Sequence, residues 1–514
     1  MISYPPIPKP KPELTRPTND AAALFVASKS LKDVASVLEV HPGHLKRWLY
    51  ECPGHAGYVT FIIPKRSGGE RTISVPPPSI QILQAKFKTI LDHVYRPKTC
   101  VCGFVANRSI VDGARPHKKR AHWVLNCDIK DYYPSIHFGR VLGLFVALGV
   151  GPKAAAVWAQ LVTANGVLPQ GASTSPVVSN MIAKQLDGKM MELARRFHLT
   201  YTRYADDLTL STTKRVFPPE IAVCTATGLV PANIELGPRL LQTIQAAGFV
   251  VNVRKTRLYC KAVRQEVTGL TVNEFVNVKR GFVRQIRAMI HAGRKFGLVE
   301  AGREYVLRYA PAGRVGPEVL KCRGFDLGCY FKNIVYGKLA FLRMVRGKSD
   351  KCYVNLCLQM AEIDPAPPSQ VLEIKKMYEE FDVFICHASE DKAMVATPLY
   401  EALKTAGVVP FIDTVHITWG DSFVEKINHA LSRAKLVVVV LSKISVDKAW
   451  PRKEICSALA REVEGKTKVL PLMVGNDEEI AQLLDRLPLL KDKVYEKWEG
   501  DPGIVAGKIK SLLP

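Results

Sequence analysis

The chain has 514 residues, 72 Lys and Arg against 47 Asp and Glu, and a formal net charge of +25. That length is enough for about three domains. No apolar run reaches the roughly 18 residues of a membrane helix, and Met1–Pro17 is polar and proline-rich, so neither a membrane span nor a signal peptide is expected.

The charge is unevenly spread. Residues 1–370 hold 52 basic and 25 acidic side chains, whereas residues 371–514 hold 20 and 22. A surplus confined to the first part fits a polyphosphate partner bound in a salt-dependent way. The 12 cysteines are scattered, most in apolar runs such as those around Cys127, Cys224, Cys386 and Cys456. Cys100 and Cys102 lack the spacing of a zinc knuckle, so reduced thiols in a cytosolic protein, and no zinc, are expected.

In chain order, Asn19-Asp20 is expected to cap a helix over Ala21–Ser28, and Ser30 one over Leu31–Leu38. With His41-Pro42-Gly43-His44 and Leu45–Tyr50 this looks like a helix-turn-helix, read as a packing pair or a grip on structured RNA rather than an autonomous DNA reader. Residues 58–76 predict two strands joined by a basic hairpin, and Gln81–Tyr95 an amphipathic helix. The apolar start Trp123-Val124-Leu125 delivers Asp128 to a strand end, before Tyr132 and Tyr133; Tyr132 suits core packing. Leu168–Pro176 is a small-residue turn opening a helix over Val177–Phe197.

Tyr204-Ala205-Asp206-Asp207 lies between two short Thr-, Tyr- and Leu-rich runs that read as strands, which puts both carboxylates at a hairpin tip. Strand alternation would send neighbouring side chains to opposite faces, so only a tight turn lets adjacent aspartates approach one metal site. Like charges held together there invite divalent cations. Residues 212–240 read as a loop insertion and Pro238–Ala247 as a helix. Residues 281–350 hold 14 Lys and Arg against 5 Asp and Glu at helical spacing, with Ile286, Met289, Ile290, Ile334, Leu339 and Leu342 as core. Ile363–Gln370 is a proline-rich break at the change of charge. Beyond it, Phe381–Ala388, Val408–Ile412, Leu436–Ser442 and Val469–Val474 read as buried strands. Helices are expected at Lys392–Ala406, Asp421–Ser432 and Trp450–Glu464. This βαβα order predicts a parallel sheet with ligands beyond the carboxyl ends of its strands.

Asp128, the Leu168–Pro176 turn and the Asp206–Asp207 pair follow the order and spacing of a reverse transcriptase palm, and the chain resembles that family. The resemblance implies two Mg²⁺ held by Asp128 and Asp206, with Asp207 and the Ile129 carbonyl in support. It places Tyr133 on the sugar 2′ face, Gln170 and Gly171 beside template and incoming base, and Lys255 near the triphosphate. Lys65 and Arg71 match the fingers residues that clamp the incoming deoxynucleotide. Two further marks resemble retron reverse transcriptases: Gly113-Ala114-Arg115-Pro116-His117, with Gly where the family has Asn, and an intact Val267-Thr268-Gly269. They imply a cognate noncoding RNA partner, contacted by His117, the Val-Thr-Gly triplet and a thumb bearing Arg284, Arg287, Arg294, Lys295, Lys338, Arg343 and Arg346. The product would be an msDNA–RNA hybrid. A group II intron-like polymerase is the rival, opposed by the Val-Thr-Gly and the lack of an endonuclease-type segment.

The second part resembles a Toll/interleukin-1 receptor (TIR) domain. In active members NAD is the substrate, so the resemblance implies Glu454 as the catalytic carboxylate, with His387, Ser389, Asp413 and Trp450 around the nucleotide and oligomerisation through this domain. The alternative is a non-catalytic assembly adaptor. The expected fold is thus multidomain: a right-hand polymerase with fingers, palm and helical thumb, then a flavodoxin-like parallel sheet. The expected boundaries are an N-terminal helical extension at 1–55, fingers and palm at 56–275, thumb at 276–360, linker at 361–372 and TIR domain at 373–514. A bacterial cytoplasmic location, away from membranes, goes with it.

Overall fold

The computed structural model describes residues 11–51, 57–64, 69–118, 121–224, 234–309, 325–378, 381–413, 430–431, 433–445, 462, 467–486 and 493–513. The chain divides into two units, Met1–Leu356 and Cys357–Pro514.

The first unit starts with α1 (Thr18–Ala27), α2 (Leu31–Val37) and α3 (Pro42–Lys46), which runs on as a wider turn over Arg47–Glu51. Ser30 starts α2 as its sequence predicts: its hydroxyl accepts from the Asp33 amide while the Asp33 carboxylate accepts from the Ser30 amide. Asn19 and Asp20 do not cap α1, which begins one residue earlier at Thr18, so both lie inside its first turn. The hairpin β1 (Val59–Pro64) and β2 (Glu70–Val75) pairs antiparallel from Val59↔Val75 to Pro64↔Glu70. Next come α4 (Pro78–Val94), with proline at its first position, and the short α5 (Ile110–Ala114).

Helices α6 (Phe138–Ala147) and α7 (Pro152–Val162) complete a layer with α1 and α4. There Phe25 meets Phe87, Phe145 and Trp158 at centroid separations of 5.2, 5.8 and 5.3 Å. Leu38, Leu45 and Leu49 join the same core, and the buried Lys86 donates from Nζ to the Leu38 carbonyl at 2.9 Å. The N-terminal helices are therefore part of this core, the packing role that their sequence allowed.

The long α8 (Ser175–Phe197) packs on α6 and on a four-stranded antiparallel sheet. That sheet contains β3 (Trp123–Asp128), β4 (Thr200–Tyr204) and β5 (Asp207–Thr212). Residues 212–240 are not simply a loop: β6 (Ala222–Cys224) pairs with β7 (Ile234–Leu236) as a ribbon. Three-residue strands are too short for their alternation to stand out in a sequence. After α9 (Pro238–Gln245) the chain adds β8 (Arg257–Cys260), giving the order β4-β5-β3-β8. A small hairpin of β9 (Glu266–Val267) and β10 (Leu270–Thr271) turns at Thr268 and Gly269, both at positive φ, 48° and 82°.

Helices α10 (Arg280–Phe296), α11 (Leu298–Arg308) and α12 (Leu327–Arg346) are amphipathic. They bury Ile286, Met289 and Ile290 on α10 and Val335, Leu339 and Leu342 on α12. Helix α13 (Lys351–Ile363) carries the division between the units, and α14 (Ser369–Met377) follows. The non-helical break at the prolines is thus residues 364–368.

The second unit has a parallel sheet of β11 (Phe381–Cys386), β12 (Pro410–Phe411), β13 (Ala434–Leu441), β14 (Lys468–Met473) and β15 (Glu496–Lys497), in the order β12-β11-β13-β14-β15. Numbered along the domain this is 2-1-3-4-5, the flavodoxin-like order. Val437, Val439 and Leu441 face one core and Leu436, Val438 and Val440 the other, which explains the unbroken apolar run. The helix expected over Lys392–Ala406 opens as a π-turn at Lys392–Ala396 before α15 (Thr397–Thr405), where Pro398 can donate no backbone bond. Helices α16 (Asp477–Arg486) and α17 (Pro502–Ser511) follow. The helices expected at Asp421–Ser432 and Trp450–Glu464 fall almost wholly outside the described residues. Among the described residues, no helix is long and apolar enough to cross a membrane.

Candidate active sites

In the first unit the antiparallel register places Asp207 directly opposite Asp128, so their side chains leave the same face of the sheet at its end. Tyr204 pairs with Asp207, leaving Ala205 and Asp206 as a two-residue hairpin loop. Ala205 sits at φ 54°, a left-handed conformation that costs a residue with a Cβ and that makes the turn tight enough for both aspartates. The loop is tied to the neighbouring strand, because the Ile129 amide donates to the Asp206 carbonyl at 3.0 Å. Lys255, in the turn Val253–Lys255, donates from Nζ to Asp128 Oδ2 at 2.9 Å. The Asn252 amide donates to the Asp128 carbonyl at 2.7 Å.

Three carboxylates at one sheet end repel each other. Burial and the nearby Asp128 raise the Asp206 carboxyl above its ordinary range, against the pull of Lys255 and Arg71. Asp207 reaches solvent in part, yet the burial of its carboxyl and the charges of Asp206 and Asp128 push it up to about 6. Hydrogen bonding to Asp128 raises Lys255 in turn. Among the described residues no group of three or more His, Cys, Asp or Glu is already drawn together closely enough to hold a metal ion. The donor set is nonetheless all-carboxylate, with its charge only partly met, among the described residues, by Lys255 and Arg71, which fits a hard divalent cation.

Around this centre, Gln170 and Gly171 dock on the fingers hairpin. The Ser74 amide of β2 donates to the Gln170 carbonyl at 2.8 Å, and a Cβ on Gly171 (φ 132°) would lie 2.7 Å from the Ser74 carbonyl oxygen. Tyr133 is half-buried, and burial followed by Tyr132 and Asp206 pushes its phenol upward while Arg71 pulls the other way. Arg71 therefore lies within electrostatic reach of Tyr133 and Asp206. Lys65 lies outside the described residues. Tyr132 is core, as its sequence suggests, and donates to the Ser179 carbonyl at 3.2 Å.

His117 is not an RNA contact. Its ring is 1% exposed, with Nδ1 2.7 Å from Ser211 Oγ and Nε2 2.8 Å from Thr202 Oγ1, so it brackets β4 and β5 from within. Burial lowers its pKa to about 4. Val267 is likewise fully buried, while the Thr268 hydroxyl bonds to the Ile110 carbonyl at 3.3 Å beside Gly269. Of the thumb cations, Arg284, Arg287, Arg294 and Lys295 are exposed on α10. Lys338, Arg343 and Arg346 are half-buried on α12; Lys338 bonds to Gln285 at 3.0 Å and Arg346 to Asp350 at 3.0 Å. Sequence reasoning missed Asn252 and Gly103. A Cβ on Gly103 would lie 2.8 Å from the Ala205 amide nitrogen, a constraint that no local motif announces.

In the second unit the loops beyond β11, β12 and β13 meet at the carboxyl end of the sheet. His387 Nε2 lies 3.3 Å from Asp413 Oδ1, and Lys392 Nζ 3.1 Å from the same oxygen. Burial resists protonation of His387, but its bonds to Asp413 and the Ala388 carbonyl win and raise it. Asp413 is held well below the usual carboxylate range, its burial outweighed by His387 and Lys392. Ser442 Oγ donates to Asp391 at 2.7 Å, joining the loops after β11 and β13 across the switch point of the sheet. Ser389 is exposed beside them, whereas Trp450 and Glu454 lie outside the described residues.

Residues 63–273 match the family model for reverse transcriptase (RNA-dependent DNA polymerase), and residues 383–501 that of the TIR domain. The retron Mx65 reverse transcriptase of Myxococcus xanthus is 36% identical over 295 residues, covering 54% of this chain and 65% of its own length. The retron Mx162 reverse transcriptase of Myxococcus xanthus is 38% identical over 265 residues, covering 46% and 53%. An NAD(+) hydrolase, TcpA of Theionarchaea archaeon (strain DG-70-1), is 40% identical over 103 residues, covering 20% and 31%. The chain thus spans from about half to just under two thirds of the length of these retron relatives.

Proposed function

We propose, from a chain that joins a retron-related reverse transcriptase domain to a TIR domain, that it copies part of its own noncoding RNA into DNA and cleaves NAD⁺. The observation that carries the first half is the register that sets Asp207 against Asp128 with Asp206 in the turn between strands. Asp128, Asp206 and Asp207, with the Ile129 carbonyl, would hold two Mg²⁺, which when bound acidify the primer hydroxyl and neutralise the departing pyrophosphate. The protein's own part is positioning and charge. Lys255 and Arg71 supply cations on the side where triphosphate charge arrives. Lys65 would complete that clamp. Gln170 and Gly171 hold the fingers strand against the palm, where template and incoming base would lie. Tyr133 would bar a 2′-hydroxyl and so favour deoxynucleotides. Arg284, Arg287 and Arg294 face solvent on α10, where they would hold the duplex by its phosphates.

For the second half, the match to a named NAD(+) hydrolase and the cluster at the carboxyl ends of the sheet support cleavage of the nicotinamide–ribose bond. His387, Ser389, Asp413 and Trp450 would frame the nucleotide and Glu454 would stabilise the positive charge that develops on the ribose. The same reading gives an N-terminal extension at 1–55, fingers and palm at 56–275, thumb at 276–360, linker at 361–372 and TIR domain at 373–514. In it a bacterial cytoplasmic protein assembles through its TIR domains. Its msDNA–RNA hybrid restrains them until phage infection, when loss of NAD⁺ stops the cell.

Sequencing the nucleic acid that co-purifies with the full chain tests the polymerase half. RNase-resistant short DNA joined to one defined RNA is expected, and RNA without DNA would overturn it. Glu454→Gln should abolish NAD⁺ loss while DNA synthesis continues. NAD⁺ loss that is absent from the wild-type chain in its assembled state, or that persists in the variant, would favour the adaptor reading or another catalytic group.

A further inference from the structure

The catalytic turn is held from behind by charges that never reach solvent. Arg203, the residue before Tyr204, is 1% exposed, and it pairs with Asp187 on α8, whose side chain is wholly buried. The guanidinium is bidentate, Nε to Oδ1 and Nη2 to Oδ2, each at 2.7 Å. Its remaining nitrogen, Nη1, donates to the Ala205 carbonyl at 3.1 Å, to Asn180 Oδ1 at 3.0 Å and to the Tyr132 hydroxyl at 3.3 Å. Asn180 and Asp187 are seven residues apart, two turns along one face of an otherwise apolar stripe of α8. Asn180 also donates to the Gly103 carbonyl at 2.9 Å, on the segment packed against the turn.

A buried ion pair is poor evidence of stabilisation, since well-packed apolar residues of the same volume often serve as well. What apolar residues cannot do is fix a carbonyl. The Ala205 carbonyl belongs to the left-handed residue at φ 54° that aims Asp206 and Asp207 toward Asp128. We propose that Arg203 and Asp187 are a positioning pair that locks the Ala205 turn and thereby sets the spacing of the three carboxylates, without touching substrate. The proposal rests on the polymerase reading for its consequence in catalysis, although not for its geometry. Lysine cannot replace the fork, because a single ammonium cannot serve Asp187 bidentately and still reach the Ala205 carbonyl in the same plane.

The test uses the full chain with Arg203→Lys, Asn180→Ala and, as a control, Asp128→Asn. Mn²⁺ binding is read by electron paramagnetic resonance, and deoxynucleotide incorporation on an RNA template gives kcat and KM. Arg203→Lys is expected to weaken Mn²⁺ binding and lower kcat at least tenfold each, with KM for the deoxynucleotide changing less than threefold. Asn180→Ala, which spares the ion pair, should give about a threefold loss in both. A folded Arg203→Lys chain with wild-type kcat and Mn²⁺ affinity, and only a lower melting temperature, would show a structural role alone and overturn the proposal. If Arg203→Lys does not fold, Asn180→Ala decides it, and no change in kcat or Mn²⁺ affinity overturns it. A wild-type chain that binds Mn²⁺ at Asp128 yet incorporates nothing sinks the polymerase reading, while the Mn²⁺ comparison still judges the pair. A wild-type chain that binds no Mn²⁺ sinks both.

Discussion

Asp207→Asn should make the metal-free protein more stable at neutral pH, although it removes a residue from the centre of the site. Burial and the neighbouring Asp206 and Asp128 raise the Asp207 carboxyl from 3.8 to about 6. Two units would be worth about 3 kcal/mol for a fully buried group. Asp207 reaches solvent, so screening reduces this to on the order of 1 kcal/mol. A raised carboxyl is penalised only when charged. The penalty is absent below the ordinary value near 4, grows as pH rises, and is complete above about 6. The melting temperature of the variant should therefore exceed that of wild type by about 2 °C at pH 7.5 in EDTA, and by little at pH 4.5. Millimolar Mg²⁺ should raise wild type more than the variant and narrow the gap. A variant less stable than wild type at pH 7.5, or a gain equal at both pH values, would refute the mutual repulsion on which the metal assignment rests.

Other consequences follow from single residues. Burial lowers His117 from 6.5 to about 4, so its neutral form is held while the unfolded chain takes up a proton. About 3 kcal/mol of stability should be lost as pH falls from about 6.5 to about 4. Urea unfolding of His117→Gln at pH 7 and 5 should show a smaller acid-side loss than wild type, and an unchanged loss would contradict this. Gly171→Ala places a Cβ 2.7 Å from the Ser74 carbonyl oxygen at φ 132°, so it should part fingers from palm. Nucleotide KM should then rise about tenfold or more, and an unaltered KM would count against the docking of that turn. Replacing Arg284 or Arg287 with Ala should reduce the slope of log affinity for RNA against log salt by about one each, across unrelated sequences. A loss confined to one RNA sequence would mean base reading instead.

The sequence made the two folds legible because their signals are local. The unbroken Leu436–Leu441 run is buried on both sides of the sheet, and Ser30 caps α2 with Asp33 as its spacing implies. The Asp128 strand end and the Asp206–Asp207 tip were legible because each is a short motif beside a clear strand. Long-range bonds were not. Nothing near His117 shows that Thr202 and Ser211, about ninety positions on, will take both ring nitrogens, so a family mark read as an RNA contact proved an internal bracket. Asn19-Asp20 misled because Pro17 starts α1 without a side-chain cap. Gly103 and Asn252 escaped notice because their importance is a distance to another element. The ribbon at Ala222–Cys224 was missed because three residues carry no period.

The most direct measurement is extension of a primer on an RNA template by the purified full chain with Mg²⁺ and deoxynucleotides, beside Asp128→Asn. Labelled DNA complementary to the template should accumulate with wild type and fall at least a thousandfold with the variant. Equal synthesis by both chains, or none by wild type across Mg²⁺ and Mn²⁺ titrations with its own co-purified RNA, would contradict the assignment of Asp128, Asp206 and Asp207 as the copying centre.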